Sequence, residues 1–104
     1  MNILAYITTK DLTEARAIAH ALISEKLAAC CNIIPNIISI YQFHNAIKDE
    51  QETLLIAKTT RNKFQTLIKK VKSIHSYDCP SILSIDISDG NQDFLSFMRQ
   101  QLAE

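Results

Sequence analysis

The stretch that decides the fold covers residues 25–41 and reads EKLAACCNIIPNIISIY. An amphipathic helix ends at its start, and a long isoleucine-rich strand follows the four small residues 28–31. Small side chains at such a junction let one backbone pack closely against another. A Pro35-Asn36 step interrupts the strand, which carries apolar side chains toward both of its faces. We therefore expect this strand to be covered by more than its own chain.

Composition and charge restrict the kind of protein. The 104 residues are 47% hydrophobic and 21% charged, which fits one globular domain spanning residues 1–104. Eleven basic and eleven acidic residues balance, so bulk charge points neither to nucleic acid nor to an acidic membrane. Residues 2–7 are too short an apolar run to span a bilayer and have no basic segment before them, so no signal peptide is predicted. Three cysteines, two of them adjacent, indicate free thiols and a cytoplasmic location.

Hydrophobic periodicity gives the order of elements. A helix capped by Asp11 and Glu14 is predicted through about Leu27, and Thr60 is predicted to cap a second helix through Ile74. Four strands are predicted at residues 2–9, 31–43, 52–59 and 82–88, with a polar turn at 45–51 and a short helix after Gly90-Asn91.

This order predicts an α+β fold, a ferredoxin-like βαββαβ sandwich with an extra C-terminal helix and a long hairpin between the second and third strands. Both long helices should cover one sheet face and leave the other open. With a single glycine in the chain, asparagine is expected to adopt left-handed backbone conformations at Asn36 and Asn45. An open apolar sheet face favours an oligomer, and Ile38, Ile40, Tyr41 and Phe43 are predicted to lie in its interface. The alternative for the aromatic pair is packing on the hairpin's own turn.

The segment 74–80, IHSYDCP, is the candidate site. His75, Asp78 and Cys79 offer imidazole, carboxylate and thiol ligands for a weakly bound copper or other divalent ion. The alternative is that His75 caps the preceding helix and Tyr77 packs. Cys30 and Cys31 should point to opposite faces of a strand, so that one fills the core and the other faces a helix or a neighbour.

Other functions find little support in the sequence. The basic second helix would suit RNA, but the third strand, at 53–57, reads TLLIA and lacks the exposed aromatics that an RNA-binding sheet of this topology uses. The loop after the first strand has no Cys-x-x-Cys for metal transfer, and no catalytic triad or phosphate-binding loop is present. We expect a protein that is not an enzyme and that requires no cofactor.

Several spaced motifs carry a family resemblance. They are EKLAAC at 25–30, NIIP at 32–35, SIY at 39–41, LIAKT at 55–59, HSYDCP at 75–80 and GN at 90–91. Over essentially its whole length the chain resembles the CutA divalent-cation tolerance family. That resemblance implies a cytoplasmic homotrimer with hairpins pairing between chains, a role in copper and divalent-cation tolerance, and no established catalysis. Members credited with copper binding carry His and Cys where this chain has Ile74 and Ile7.

A second hypothesis is a trimeric small-molecule sensor like the PII signalling proteins, which share this subunit architecture. Its ligand would occupy a cleft between subunits near Lys58, His75 and Tyr77. The single glycine argues against it, because such a sensor is expected to have a long flexible loop and glycine-rich phosphate contacts. An enzyme that uses His75 as a general base is a weaker third hypothesis.

Overall fold

A computed structural model describes residues 1–103. The elements are β1 (Asn2–Thr9), α1 (Leu12–Ser24), β2 (Cys30–Phe43), β3 (Ala46–Thr60), α2 (Phe64–Ile74), β4 (Ile82–Asp86) and α3 (Gln92–Leu102), with a 3₁₀ turn at Arg61–Lys63 before α2. The four strands form one sheet in the order β2-β3-β1-β4, and all neighbouring strands are antiparallel. The predicted ferredoxin-like α+β fold, with β1 and β3 in the centre of the sheet, is confirmed.

The core lies between one sheet face and the helices α1 and α2. Alternate residues of β1, namely Ile3, Ala5 and Ile7, are fully buried on this face. They pack in one cluster with Leu22 of α1 and Leu67 of α2. The apolar residues that alternate along the strand therefore contact the apolar residues that repeat at helical spacing, as the sequence predicted. A smaller cluster joins α3 to the sheet through Ala29, Met98 and Leu102.

Helix α1 begins and ends at residues with special roles. The Asp11 side chain accepts a bond from the Glu14 backbone N–H at 2.9 Å, as predicted for an N-cap. The helix ends at Ser24, three residues before the predicted end, because Lys26 adopts the left-handed conformation with φ of 56°. A lysine thus occupies the position that glycine usually takes after a helix.

The hairpin is longer than predicted. Strand β3 begins at Ala46, so the prediction of a polar turn over residues 45–51 is wrong. His44 and Asn45 both have positive φ, 50° and 65°, which makes a two-residue turn whose twist matches that of the strands. The prediction of left-handed asparagines is confirmed at Asn45 and also at Asn36, where φ is 63° and the β2–β3 register shifts.

Three smaller predictions are also wrong. Thr60 does not cap α2, because the 3₁₀ turn lies between them. The Thr60 hydroxyl donates to the Asn62 side chain instead. Ile74 and Phe94, which helical periodicity predicts to face inward, are both exposed at the ends of their helices. Strand β4 ends at Asp86, although the Ile87 N–H still donates to the Asn2 carbonyl at 3.0 Å.

The sheet face away from α1 and α2 is apolar. Cross-strand pairs place Leu4 beside Ile85 and Tyr6 beside Leu83 on this face. Leu83 and Ile85 are both exposed in the single chain, and together with Tyr6 they line an open cavity of about 550 Å³ at the β4 edge. The structure therefore leaves open the β1–β4 part of the face that the sequence predicted to be uncovered, while Phe94 of α3 lies against Lys58 on the same face.

Candidate functional site

His75 follows α2 directly and turns its ring back toward β1. The imidazole has no exposed surface. Its Nε2 lies 2.8 Å from the carbonyl oxygen of Thr8, and its Nδ1 accepts the backbone N–H of Tyr77 at 3.0 Å. Because a carbonyl can only accept, Nε2 is the donor in the bond to Thr8. The side chain therefore fixes the α2–β4 loop against the end of β1.

This geometry corrects one sequence interpretation. His75 is the residue that ends α2, but its ring bonds neither the last helix carbonyls nor solvent. His75 thus holds the C-cap position of α2, but its ring does not bond the helix carbonyls as that interpretation expected. The partner oxygen belongs to Thr8, 67 positions earlier, and no local pattern indicates a contact at that distance along the chain.

Glu14 holds the same loop from the side of α1. Its carboxylate accepts the Lys10 N–H at 3.0 Å and the Ser76 N–H at 2.8 Å. Burial on its own raises the pKa of Glu14, but the bonds from Lys10 and Ser76 outweigh burial and leave the pKa below its ordinary 4.5. A carboxylate that the sequence indicated only as part of a helix cap thus also joins α1 to the candidate site.

Glu14→Gln should make unfolding less dependent on acid pH. Since the native pKa is depressed, the charged carboxylate contributes stability in full above 4.5, and this contribution is lost as the pH falls through the lower native value. Urea unfolding at a series of pH values should show a wild-type advantage at neutral pH that shrinks below pH 4.5. Glu25→Gln, which removes a surface ion pair with Lys70, is the control. A difference in unfolding free energy between wild type and Glu14→Gln that stays constant down to pH 2 would contradict a lowered pKa of Glu14.

Two phenol–carboxylate pairs extend from the loop onto the hairpin. Tyr77 donates its hydroxyl to Glu52 at 2.5 Å, and Tyr41 donates to Glu50. The pKa of Tyr77 is raised, first by burial and then by the bond to Glu52. The pKa of Tyr41 is raised chiefly by its bond to Glu50. Tyr77 therefore does more than pack, and its bond ties the α2–β4 loop to β3.

The predicted metal ligands are not gathered into one centre in the single chain. Asp78 and Cys79 are exposed on the loop, whereas both ring nitrogens of His75 are already hydrogen-bonded. Within residues 1–103 no three His, Cys, Asp or Glu side chains are placed to hold a metal ion. Metal binding at His75, Asp78 and Cys79 stays a prediction.

The predicted ligand cleft is also not formed within one chain. His75 and Tyr77 are neighbours, with ring centroids 4.7 Å apart. Lys58 lies six positions along β3 from Glu52, the partner of Tyr77, which is about 20 Å at strand geometry. Only residues from different subunits could bring these groups together, and such a cleft stays a prediction.

Cys30 and Cys31 behave as their adjacency on a strand predicts. Cys31 packs against the core between the sheet and the helices. Cys30 pairs across to Lys58 on the other face, where Lys58 lies over the Phe94 ring of α3.

No helix within residues 1–103 is long and apolar enough to cross a bilayer.

Fold and loop together define a class of protein: a small ferredoxin-like α+β domain with a long hairpin, an isoleucine-rich β2 strand and a hydrogen-bonded His-Ser-Tyr loop. The family model of the CutA1 divalent ion tolerance protein matches residues 3–101. The chain belongs to this family, which confirms the resemblance recognised in its motifs.

Relatives match along nearly the whole chain. The divalent-cation tolerance protein CutA of Thermus thermophilus is 40% identical over 100 residues, which is 96% of this chain and 97% of that protein. A solved Cut A1 structure from that organism has a TM-score of 0.94, covering 97% of this chain and 98% of that one. The structure of the periplasmic divalent cation tolerance protein CutA of Archaeoglobus fulgidus is 38% identical with a TM-score of 0.95, covering 98% and 99%. Rice chloroplastic CutA 1 is 35% identical over 99% of this chain but only 58% of its own length.

Proposed function

We propose that this chain is a homotrimeric, cytoplasmic protein of divalent-cation tolerance that responds to copper or a similar metal and catalyses no reaction. The observation that carries the proposal is the family match over residues 3–101, with relatives named for divalent-cation tolerance that align from end to end. The sensor hypothesis with a PII-like cleft gains no support from these relatives.

Exposed apolar surface on the hairpin supports assembly. Ile38, Ile40 and Phe43 keep 59%, 66% and 53% of their surface exposed in the single chain. Strand β2 also forms one edge of the sheet, and β4 forms the other. Long apolar edge strands normally pair or are covered, and closed threefold symmetry covers every copy equally. Pairing of hairpins between three chains would cover the exposed apolar side chains and would also pair the edge strands.

The cysteines support a reducing compartment. Cys30, Cys31 and Cys79 are all free thiols, and the first two point to opposite faces of β2. Exposed free thiols persist in the cytoplasm, where disulfides are rare. The proposed location is therefore the cytoplasm.

The α2–β4 loop is the proposed metal site, and its geometry supports weak binding only. Asp78 and Cys79 are exposed and available as ligands, while His75 must give up its bond to Thr8 or to Tyr77 before it can coordinate. Breaking a buried hydrogen bond costs about 1–3 kcal/mol, which lowers the affinity accordingly. Among divalent ions, copper should bind best by the usual order of affinities.

Calorimetric titration of the purified protein with copper and zinc salts tests the site. Cys79→Ser and Asp78→Asn alter exposed side chains, so the fold should survive while copper affinity falls by roughly tenfold in each. His20→Ala, which removes an exposed imidazole on α1, should leave the affinity unchanged. Equal affinity in wild type, Cys79→Ser and Asp78→Asn would place the metal elsewhere.

The tolerance role is tested separately in cells. A strain lacking this protein should grow less than its parent at elevated copper, and expression of the wild-type chain should restore growth. Equal growth of the two strains over a range of copper, zinc and other divalent salts would contradict a role in tolerance, whatever the outcome of the titration.

A further inference from the structure

An aspartate–glycine step lies in the exposed segment that joins β4 to α3. The chain has a single glycine, Gly90, and Asp89 precedes it, so no other Asp-Gly or Asn-Gly step occurs in the sequence. Both residues are exposed and belong to no helix or strand. The backbone N–H of Gly90 donates to Oδ1 of Asp89 at 2.8 Å. Because Oδ1 is bonded to the carboxyl carbon, this contact holds the Gly90 nitrogen beside that carbon.

Glycine makes this step open to a rearrangement of the backbone. Without a Cβ, Gly90 leaves its own nitrogen unshielded and its backbone free to turn. The fold does not require glycine here, since its φ is not positive and a Cβ would lie 3.5 Å from Cδ2 of Leu95, an ordinary van der Waals distance. Every other aspartate in the chain precedes a residue with a side chain.

We propose that Asp89-Gly90 is a modification site of this chain, at which the aspartate isomerises to isoaspartate through a cyclic imide. The Gly90 nitrogen attacks the protonated carboxyl group of Asp89, a new C–N bond forms, and a C–O bond of the carboxyl group breaks. The N–H proton and the hydroxyl group leave as water, and a five-membered succinimide remains. Water then opens the ring at either carbonyl and gives aspartate or isoaspartate. The reaction is redox-neutral and needs no reagent but water.

The site lies far from the surface that is proposed to assemble. Asp86 at the end of β4 pairs with Ile3, which pairs in turn with Thr59 of β3. Thr59 lies fourteen positions from Asn45 of the hairpin turn, which is about 45 Å at strand geometry. The segment that carries Asp89 therefore leaves the sheet at the end away from the hairpin.

Isomerisation changes the approach to α3. Isoaspartate adds one methylene to the backbone between Asp89 and Gly90, directly before Asn91. The Asn91 side chain accepts the Asp93 N–H at 2.9 Å, and its carbonyl accepts the Leu95 N–H at 3.0 Å. A longer backbone displaces this capping residue, so α3 should be held less firmly at its first turn.

The test incubates the purified full chain at physiological temperature in neutral water enriched in heavy oxygen. Each passage through the succinimide incorporates one oxygen atom from water, and mass spectrometry with peptide fragmentation locates it. Asp89 should gain the isotope, and an added isoaspartyl methyltransferase should methylate the same residue. Asp78, which is also exposed but precedes Cys79, should gain the isotope about ten times more slowly or not at all.

Three variants assign the chemistry. Gly90→Ala should slow the labelling of residue 89 by about fivefold or more, because alanine restricts the backbone. Asp89→Glu keeps the carboxylate but would need a less favourable six-membered ring, so labelling should be lost. Asp89→Asn should form the succinimide faster, with ammonia leaving in place of water, because a neutral amide is attacked more readily than a carboxylate.

The comparison of Asp89 with Asp78 is internal to the wild-type protein and needs no variant to fold. Labelling of Asp89 no faster than that of Asp78 would overturn the proposal. So would a Gly90→Ala or Asp89→Glu protein with wild-type circular dichroism that is labelled at the wild-type rate. In the isomerised fraction, amide hydrogen exchange across α3 should be faster than in the unmodified chain, and equal exchange would contradict the effect on α3.

Discussion

Replacing His75 by alanine should lower the free energy of unfolding by about 2–4 kcal/mol, because the imidazole is buried and both of its nitrogens are bonded. The truncation leaves the Thr8 carbonyl and the Tyr77 N–H without their partner and opens a cavity under the loop. The loop would then lose the His75 bond to β1 and keep its bonds to Glu14 and Glu52 and the bond from the Thr8 N–H to the Ser81 carbonyl.

Two variants separate this role from a simple loss of surface. His20→Ala removes an exposed imidazole and should change stability by less than about 0.5 kcal/mol. His75→Asn can keep an acceptor near the position of Nδ1 but cannot reach as far as Nε2, so its stability should fall between those of the wild type and His75→Ala.

Urea unfolding in the presence of a chelator measures these differences without a contribution from bound metal. A His75→Ala protein within 0.5 kcal/mol of the wild type would mean that the two hydrogen bonds do not stabilise the loop. A substitution of Tyr77 should also lower the free energy of unfolding in the same experiment, since its amide is bonded to His75 and its hydroxyl to Glu52.

The sequence predicted the sheet and its two helices because their signals are local. Ile3, Ala5 and Ile7 alternate with half-buried residues, and Ile18 and Leu22 recur at helical spacing. Once the elements were known, their order left few topologies for a chain of this length. The left-handed positions of Asn36 and Asn45 were predictable for the same reason, since few other residue types tolerate them.

The candidate site was predictable as a segment but not as a geometry. The sequence indicated that His75 and Tyr77 are chemically special, yet their partners Thr8 and Glu52 lie 67 and 25 positions away. Contacts of this kind depend on how the loop folds back over the end of β1, and no periodicity records that. The hairpin turn was misjudged because residues 48–51 are polar, whereas strand formation there is set by the left-handed His44-Asn45 turn.

The second large effect is expected at the hairpin. Phe43→Asp should dissociate the proposed trimer and lower its stability by about 3–5 kcal/mol per subunit, because a charge would then lie without a partner in an interface. In a chain that stays monomeric the same change should cost less than about 0.5 kcal/mol, since Phe43 is 53% exposed there and packs only edge-on against His44. Light scattering and thermal unfolding of wild type and variant therefore distinguish the two states.

The hairpin offers a second test from its other face. Alternation along β2 places Ile38 and Ile40 on the face opposite to Tyr41 and Phe43. If neighbouring subunits cover both faces, Ile40→Asp should dissociate the assembly as strongly as Phe43→Asp. If they cover only one face, only the variant on that face should dissociate it. Gln65→Asp, which adds the same charge to an exposed position on α2, should leave assembly unchanged.

The wild-type melting temperature should also rise with protein concentration, because folding and assembly are linked. A melting temperature independent of concentration, with two hairpin variants that melt like the wild type, would mean that no second copy covers this surface.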